Sequence, residues 1–264
     1  MAYNKEYRYK VRGTWQQNAP FIIFDSKIKM KTFLRKITSY LRFFFYKLKK
    51  RNYLKNSKYF SQEGEDLFLI DFFKDKNDGF YIDVGAFHPY RINNTYALYK
   101  KGFRGINIDI SATSIDLFKL ARPDDINLNI GVSDKIENKI FFSKKNLSFH
   151  NTFDESLAKS QGKYFKKKYQ IKCKTLNQII KKTKFSNSEI DFLNIDVEGY
   201  DYQVLRGLSL KHYTPKIICI EISKLVNKKN EEYKNTKIFK YLIKNNYKLV
   251  WKGSNSYIFQ IKNN

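Results

Sequence analysis

From residue 80 onward, short apolar runs alternate with stretches of helical spacing. Phe80-Tyr81-Ile82 leading into Asp83-Val84-Gly85 predicts a buried strand that ends in a turn. Thr95 to Lys101 reads as a short helix, started at Asn93 or Asn94 and stopped by Gly102. A second strand is expected over Ile106 to Ile110, a second helix over Ser114 to Ala121, ended before Pro123, and a third strand over Ile126 to Val132. Leu176 to Lys181 begins a further helix, Ile190 to Val197 is a fourth strand, Tyr200 to Leu208 a helix and Ile217 to Ile222 a fifth strand. Ile238 to Asn245 is read as a helix, and Lys248 to Trp251 with Tyr257 to Phe259 as a closing hairpin. Such alternation predicts an open, doubly wound, mainly parallel α/β sheet with an antiparallel C-terminal hairpin. Residues 136–172 break the rhythm with Ile140-Phe141-Phe142, a polar stretch and Lys166-Lys167-Lys168, and read as an insertion near the active site.

The first 58 residues follow another pattern and are expected to form a separate, basic, aromatic-rich helical segment ahead of a main domain over 59–264. Ile28, Phe33, Leu34, Ile37, Leu41, Phe44, Phe45 and Leu48 recur at three-and-four spacing, which predicts an amphipathic helix. Lys29, Lys31, Arg35, Lys36, Arg42, Lys47, Lys49 and Lys50 surround that stripe. Residues 1–60 hold 16 Lys and Arg against two acids, Glu6 and Asp25, so more than half of the chain's net +26 sits in its first quarter. Three roles compete for this segment: a helix docked on the main domain with a solvated basic face, which is preferred; an in-plane helix on an anionic membrane; or a nucleic-acid footprint.

Composition narrows the class. At 264 residues the chain can close one sizeable core, and 42% apolar with 17% aromatic residues exclude wholesale disorder. No window approaches the roughly 18 uninterrupted apolar residues of a membrane span, and no signal-peptide core is recognisable. Cys173 and Cys219 are read as free thiols of a soluble protein kept in a reducing compartment, the cytoplasm, with peripheral contact at the inner face of the membrane as an option. Without a Cys or His cluster, zinc is disfavoured.

In a parallel sheet, ligands gather outside the carboxyl ends of the strands. The loop there is Asp83-Val84-Gly85-Ala86-Phe87-His88-Pro89, where Gly85 is expected to let a ligand approach the backbone. The chain lacks G-x-G-x-x-G, so a dinucleotide is disfavoured. Asp109, closing the second strand, suits the two hydroxyls of a ribose. Together these acids suggest S-adenosylmethionine, whose cationic sulfonium favours carboxylates over a phosphate cradle. Asp196 and Glu198 are expected to share one face of the fourth strand as an acid pair, and Glu221 ends the fifth. Asp196 is the first candidate for general base, with Glu198 beside it; Asp196 with Glu221 is a candidate Mg²⁺ site. His88 and His150 are further proton acceptors to consider, whereas His212 reads as structural.

Several ordered segments are similar to FkbM-type methyltransferases. They are Ser61-Gln62-Glu63-Gly64-Glu65-Asp66, Gly79 to Pro89, Asn94-Thr95, Gly102 to Asp109, Arg122-Pro123-x-Asp125, Thr175-Leu176 and Ile195 to Asp201, running from about Tyr59 to about Glu221. The resemblance implies a class I, Rossmann-like fold, S-adenosylmethionine as donor and O-methylation of a hydroxyl, in bacterial members often on sugars of capsular or lipopolysaccharide surface polymers. It places Gln62, Asp83, Gly85, Asp109 and Gly131-Val132-Ser133 against the cofactor, and the neighbouring Val84, Ala86, Asn94, Thr95, Ile110 and Asp125 are expected with them. Asn107 departs from the pattern, standing inside a strand where an apolar residue would be usual.

The acceptor expected from the basic, aromatic insertion is a nucleotide-linked sugar or a glycan. Two other functions use the same features: an RNA methyltransferase exploiting the basic N-terminal region, and a non-catalytic scaffold at a membrane surface. The absence of a recognisable RNA module counts against a nucleic-acid partner.

Overall fold

The computed structural model describes residues 10–11, 14–15, 19–143, 155, 159, 167–222 and 231–262, with side chains from residue 29. His150 and Lys166 lie outside the described residues. In chain order the elements are α1 (Ala19–Lys49), α2 (Arg51–Asn56), α3 (Glu65–Phe72), β1 (Phe80–Val84), α4 (Tyr96–Lys101), β2 (Arg104–Ile108) and α5 (Ala112–Ala121). There follow β3 (Ile126–Leu128), β4 (Gly131–Val132), β5 (Glu137–Ser143), β6 (Lys167–Lys174), α6 (Leu176–Lys181) and β7 (Phe192–Ile195). The chain closes with α7 (Asp201–Arg206), β8 (Ile217–Glu221), α8 (Lys237–Lys244), β9 (Tyr247–Lys252) and β10 (Ser256–Ile261).

Local chemistry sets several of the boundaries. Gly102 ends α4 at φ 113°, in the left-handed region that glycine adopts without steric cost. Ser111 caps α5 by accepting from the Ser114 amide, and Thr175 with Gln178 forms a reciprocal capping box on α6.

Seven strands form one mixed sheet in the order β9–β10–β8–β7–β1–β2–β3. β3, β2, β1, β7 and β8 are mutually parallel. β10 runs antiparallel to β8, and β9 to β10, so the expected hairpin is the edge of the sheet. From β1 the chain moves outward to β2 and β3, then returns to β7 on the other side of β1. The carboxyl ends of β1 and β7 therefore flank the point where strand order reverses, which is where ligands of such sheets bind.

The expected third strand divides. β3 stays in the main sheet, while β4 pairs with Cys173 and Lys174 of β6 in a second, three-stranded sheet. The other member of that sheet is β5, antiparallel to β6, so the described ends of the segment that broke the sequence rhythm pair as a β-ribbon. Side-chain alternation packs Ile82, Val84, Leu193, Ile195, Ile218 and Ile220 into one core layer. Tyr81, Phe192 and Cys219 face the other layer, beneath Leu69 of α3, Leu98 of α4 and Phe103.

Helix α1 docks on the main domain as expected, but not by its apolar stripe. Its contact face holds the Arg35–Asp116 ion pair at 2.7 Å, the buried Ser39, Phe43 stacked on Tyr90 and Tyr46 stacked on Tyr90 at 5.8 Å. Phe33, Leu34, Ile37, Leu41, Phe44, Phe45 and Leu48 are exposed instead.

Candidate active site

Strand register assembles a polar row across the sheet. Asn127, Asn107, Asp83, Asn194 and Cys219 are Cα partners on β3, β2, β1, β7 and β8. Asp83 is 1% exposed, and its carboxylate is satisfied by neighbours: Oδ1 accepts from Asn194 at 2.9 Å, and Oδ2 from Thr95 at 2.8 Å and Asn93 at 3.3 Å. Burial raises its proton affinity, and these donors oppose the rise. Asn194 in turn accepts from Asn94 at 2.9 Å. Asn107 donates to Asp125 and to Asn127, both at 2.9 Å, which explains a polar side chain inside β2.

Behind the row lies Arg122, fully buried. It donates to Thr95 Oγ1 at 2.8 Å, Asn93 Oδ1 at 2.7 Å and the Pro89 carbonyl at 2.6 Å, so it holds the loop after β1 to the start of α4. Its charge lies between Asp83 and Asp125 and lowers the proton affinity of each, against the larger effect of burial. A buried arginine needs such partners, since an unpaired one costs several kcal/mol.

Beside the row, at the carboxyl ends, is a cleft lined by Gln62, Glu65, Asp83, Asn94, Asn194 and Asp196, with Gly85, Ala86 and Phe87 as its floor loop. It encloses about 50 Å³. Glu65, Asn93, Asn194 and Ser256 are lining residues that the motifs alone did not single out. Gly85 lines the cleft and also meets a second stretch of backbone. A Cβ there would lie 1.7 Å from the Asp196 carbonyl oxygen, and φ is 82°, so glycine serves the close approach of two backbones.

Asp109 stands on the other side of that loop. Its Oδ2 accepts from the Phe87 amide at 2.8 Å and its Oδ1 from the Ser111 amide at 2.6 Å. Phe87 itself sits at φ 51°, a conformation a bulky side chain rarely adopts, and Asp109 holds it there. Burial pushes the Asp109 carboxyl up to about 6, with the two amides opposing.

The expected same-face pair of Asp196 and Glu198 does not form. β7 ends at Ile195, and Glu198 turns into the left-handed region at φ 53°. The chain bends so that Asp201, missed as a site residue, accepts the Val197 amide at 2.9 Å and the Gly199 amide at 3.0 Å. Asp196, Asp201 and Glu221 thereby bring carboxylate oxygens within 4.8 Å of one another. Burial first, then Glu221 and Asp196, raise the Asp201 carboxyl well above its ordinary value. Such a group shares a proton or a hard cation.

His88 is buried between Tyr46 and Tyr90, and its Nδ1 accepts from the Tyr90 amide at 3.1 Å and the Arg91 amide at 3.3 Å. Burial, with Arg91 and Arg122 adding, lowers its pKa to about 3. An imidazole with that lone pair engaged and so little basicity does not fit a general base; it locks the loop.

Other expected cofactor residues are not brought to the cleft. Val84 and Thr95 are buried, and Asp125 bonds Tyr81, Asn107 and the Gly105 amide. Ile110 is half-buried and packs against the main core. Gly131 and Val132 belong to the small sheet, and Ser133 donates to Glu137 at 2.6 Å. That corner meets Tyr200, the residue before Asp201 in the chain, over whose ring Lys139 stands at 3.9 Å.

Among the described residues no helix is long and apolar enough to cross a membrane. No curated protein matches the chain. The Methyltransferase FkbM domain family matches residues 83–249, from Asp83 at the end of β1 to Leu249 in β9, leaving Ser61–Asp66 outside and taking in part of the hairpin. With more than half its length covered by that match, on a mainly parallel sheet whose strand ends carry the acids described above, the chain belongs to the FkbM methyltransferase family.

Proposed function

We propose that the chain is a cytoplasmic, S-adenosylmethionine-dependent O-methyltransferase with a class I, Rossmann-like sheet, acting on a sugar hydroxyl of a nucleotide-linked sugar for surface polysaccharide. The observation that carries this is the charge of the cleft. In a chain of net +26, the described residues lining it include the carboxylates Glu65, Asp83 and Asp196, and among the described residues no Lys or Arg lines it. A phosphate-rich ligand would meet like charge there, whereas a sulfonium and an ammonium group meet opposite charge. The strand order, with antiparallel β10 inserted between β8 and β9, supports the fold assignment.

Asp109 fits the donor's ribose. Its oxygens accept two backbone amides and the Ser114 side chain also bonds the carboxylate, which out of about four lone-pair sites leaves acceptor capacity for a hydroxyl. Glu65, Asp83 and Asp196 of the cleft would hold the donor's cationic end, and Asp109, on the other side of the Gly85–Phe87 loop, would hold its ribose. When bound, S-adenosylmethionine supplies an electrophilic methyl group. The chain's part is to orient the acceptor hydroxyl in line with it and to take up the hydroxyl proton, which we assign to the exposed Asp196 carboxylate at the mouth. The convergence of Asp196 with Asp201 and Glu221 favours a second reading, in which the three hold Mg²⁺. Turnover that is lost on dialysis against EDTA and restored by Mg²⁺ selects the ion; turnover unchanged by EDTA selects direct proton transfer.

The acceptor assignment is supported by the basic ribbon β5–β6 abutting Tyr200 next to the acid cluster. Its test is a methyl-transfer screen over nucleotide sugars read by mass spectrometry. The expected result is a one-methyl mass gain on a sugar hydroxyl. Methyl transfer into RNA with none to sugars would replace this function with the RNA one.

A further inference from the structure

We infer that α1 is a membrane-seating helix that lays its outward face into an anionic lipid bilayer. The face that meets the domain and the face that meets solvent are opposite sides of one helix. Arg35, Ser39, Phe43 and Tyr46, at three-and-four spacing, make the contact with α5 and the loop after β1. Met30, Leu34, Ile37, Leu41, Phe44 and Leu48, also at three-and-four spacing, point away, and each is between 41% and 58% exposed. A continuous apolar stripe turned outward, rather than scattered single side chains, marks a surface built to be covered.

The charges select the cover. Lys31, Arg42 and Lys49 lie along one flank of the stripe, and Lys36 and Lys47 along the other; all five are exposed. No Asp or Glu occurs between Asp25 and Glu63. A second copy of the same helix would set lysine against lysine across the seam. A nucleic acid would match the charge but leave Met30, Ile37 and Leu41 in water. An anionic bilayer satisfies both, with aliphatic and aromatic side chains at the acyl boundary and basic ones snorkelling to headgroups. An apolar groove of about 440 Å³, lined by Phe33, Ile37, Leu41 and Leu120 together with Lys36, Lys119 and the Arg35-paired Asp116, extends that surface onto α5. Because the Tyr46 ring packs against His88 with centroids 4.9 Å apart, seating α1 would hold the loop after β1 one helix diameter, about 10–12 Å, from the bilayer.

The test is co-sedimentation of the full chain with phosphatidylcholine vesicles, with and without about 30% phosphatidylglycerol. The expected result is binding to the anionic vesicles only, weakening as salt is raised. Ile37→Glu/Leu41→Glu/Phe44→Glu should lower that binding by more than about tenfold with an unchanged circular dichroism spectrum, since all three side chains are exposed. In a separate variant, Leu41→Trp should show blue-shifted emission on adding the anionic vesicles. Absence of binding to anionic vesicles, equal binding by the triple variant, or a dimer in solution that the triple variant dissolves without any vesicle binding would each overturn the inference.

Discussion

Asn194 donates 2.9 Å to Asp83 across the parallel pair β7–β1, at Cα partners flanking the point where strand order reverses. The bond joins the two halves of the sheet where the cleft begins, and Asn194 passes it on by accepting from Asn94. Asn194→Leu should therefore leave the buried Asp83 Oδ1 without its donor and lower stability by about 1–3 kcal/mol in urea unfolding. A change within a few tenths of a kcal/mol would mean that water replaces the amide.

Asp109 titrates near the range where an enzyme works, at about 6. A ribose hydroxyl bonds its ionised form better than its protonated form. Affinity for S-adenosylmethionine should rise from pH 5 to about 6, as the carboxyl loses its proton, and level off above it. Calorimetric titration at several pH values, repeated on Asp109→Asn, should show the dependence in the first protein and not in the second.

Asp109 and Asp196 should separate binding from turnover. Asp109→Ala is expected to weaken cofactor binding by about 10- to 100-fold, the loss of a charge-assisted hydrogen bond. Asp196→Asn removes one of three cleft carboxylates, so it should cost less cofactor affinity than Asp109→Ala while lowering kcat by about 100-fold or more. A variant at Asp196 with full kcat removes that carboxylate from the reaction.

Gly85→Ala tests the close approach of β1 and β7. The added methyl would meet the Asp196 carbonyl at 1.7 Å, at a backbone φ of 82°. The expected cost is about 3 kcal/mol or more, because strain and overlap act together. A variant as stable as the parent would show that the Asp196 loop gives way.

His88 should stay neutral through the working range. Its pKa of about 3 lies below the free value of 6.5, so its contribution to stability is present above 6.5 and is lost as pH falls through 3. Imidazole resonances that hold their shifts from about pH 8 to 5 would agree, and a titration near 6.5 would show an exposed ring.

Much of the architecture is legible along the chain. The strand–helix alternation, the stop at Gly102, the hairpin and the acids at strand ends are all carried by local patterns, since burial on one face and turn chemistry act on residues near in sequence. The short β3 and β4 read as one strand because Ile126, Leu128, Ile130 and Val132 alternate without a break across the two-residue gap, although the halves join different sheets.

The roles of the acids were decided elsewhere. A residue's type says that Asp83 wants donors, Arg122 a counter-charge and Gly85 a tight turn, and residues 28–50 announce a basic amphipathic helix. Which groups meet these needs depends on strand register and on loops that close in space: Asn194 comes 111 residues after Asp83 and Arg122 27 after Thr95. Periodicity likewise marks the stripe of α1 but not its direction. The fold turns the stripe outward because Arg35 pairs with Asp116 of α5 and Phe43 and Tyr46 meet Tyr90 and His88, and a helix can present only one side to the domain it rests on.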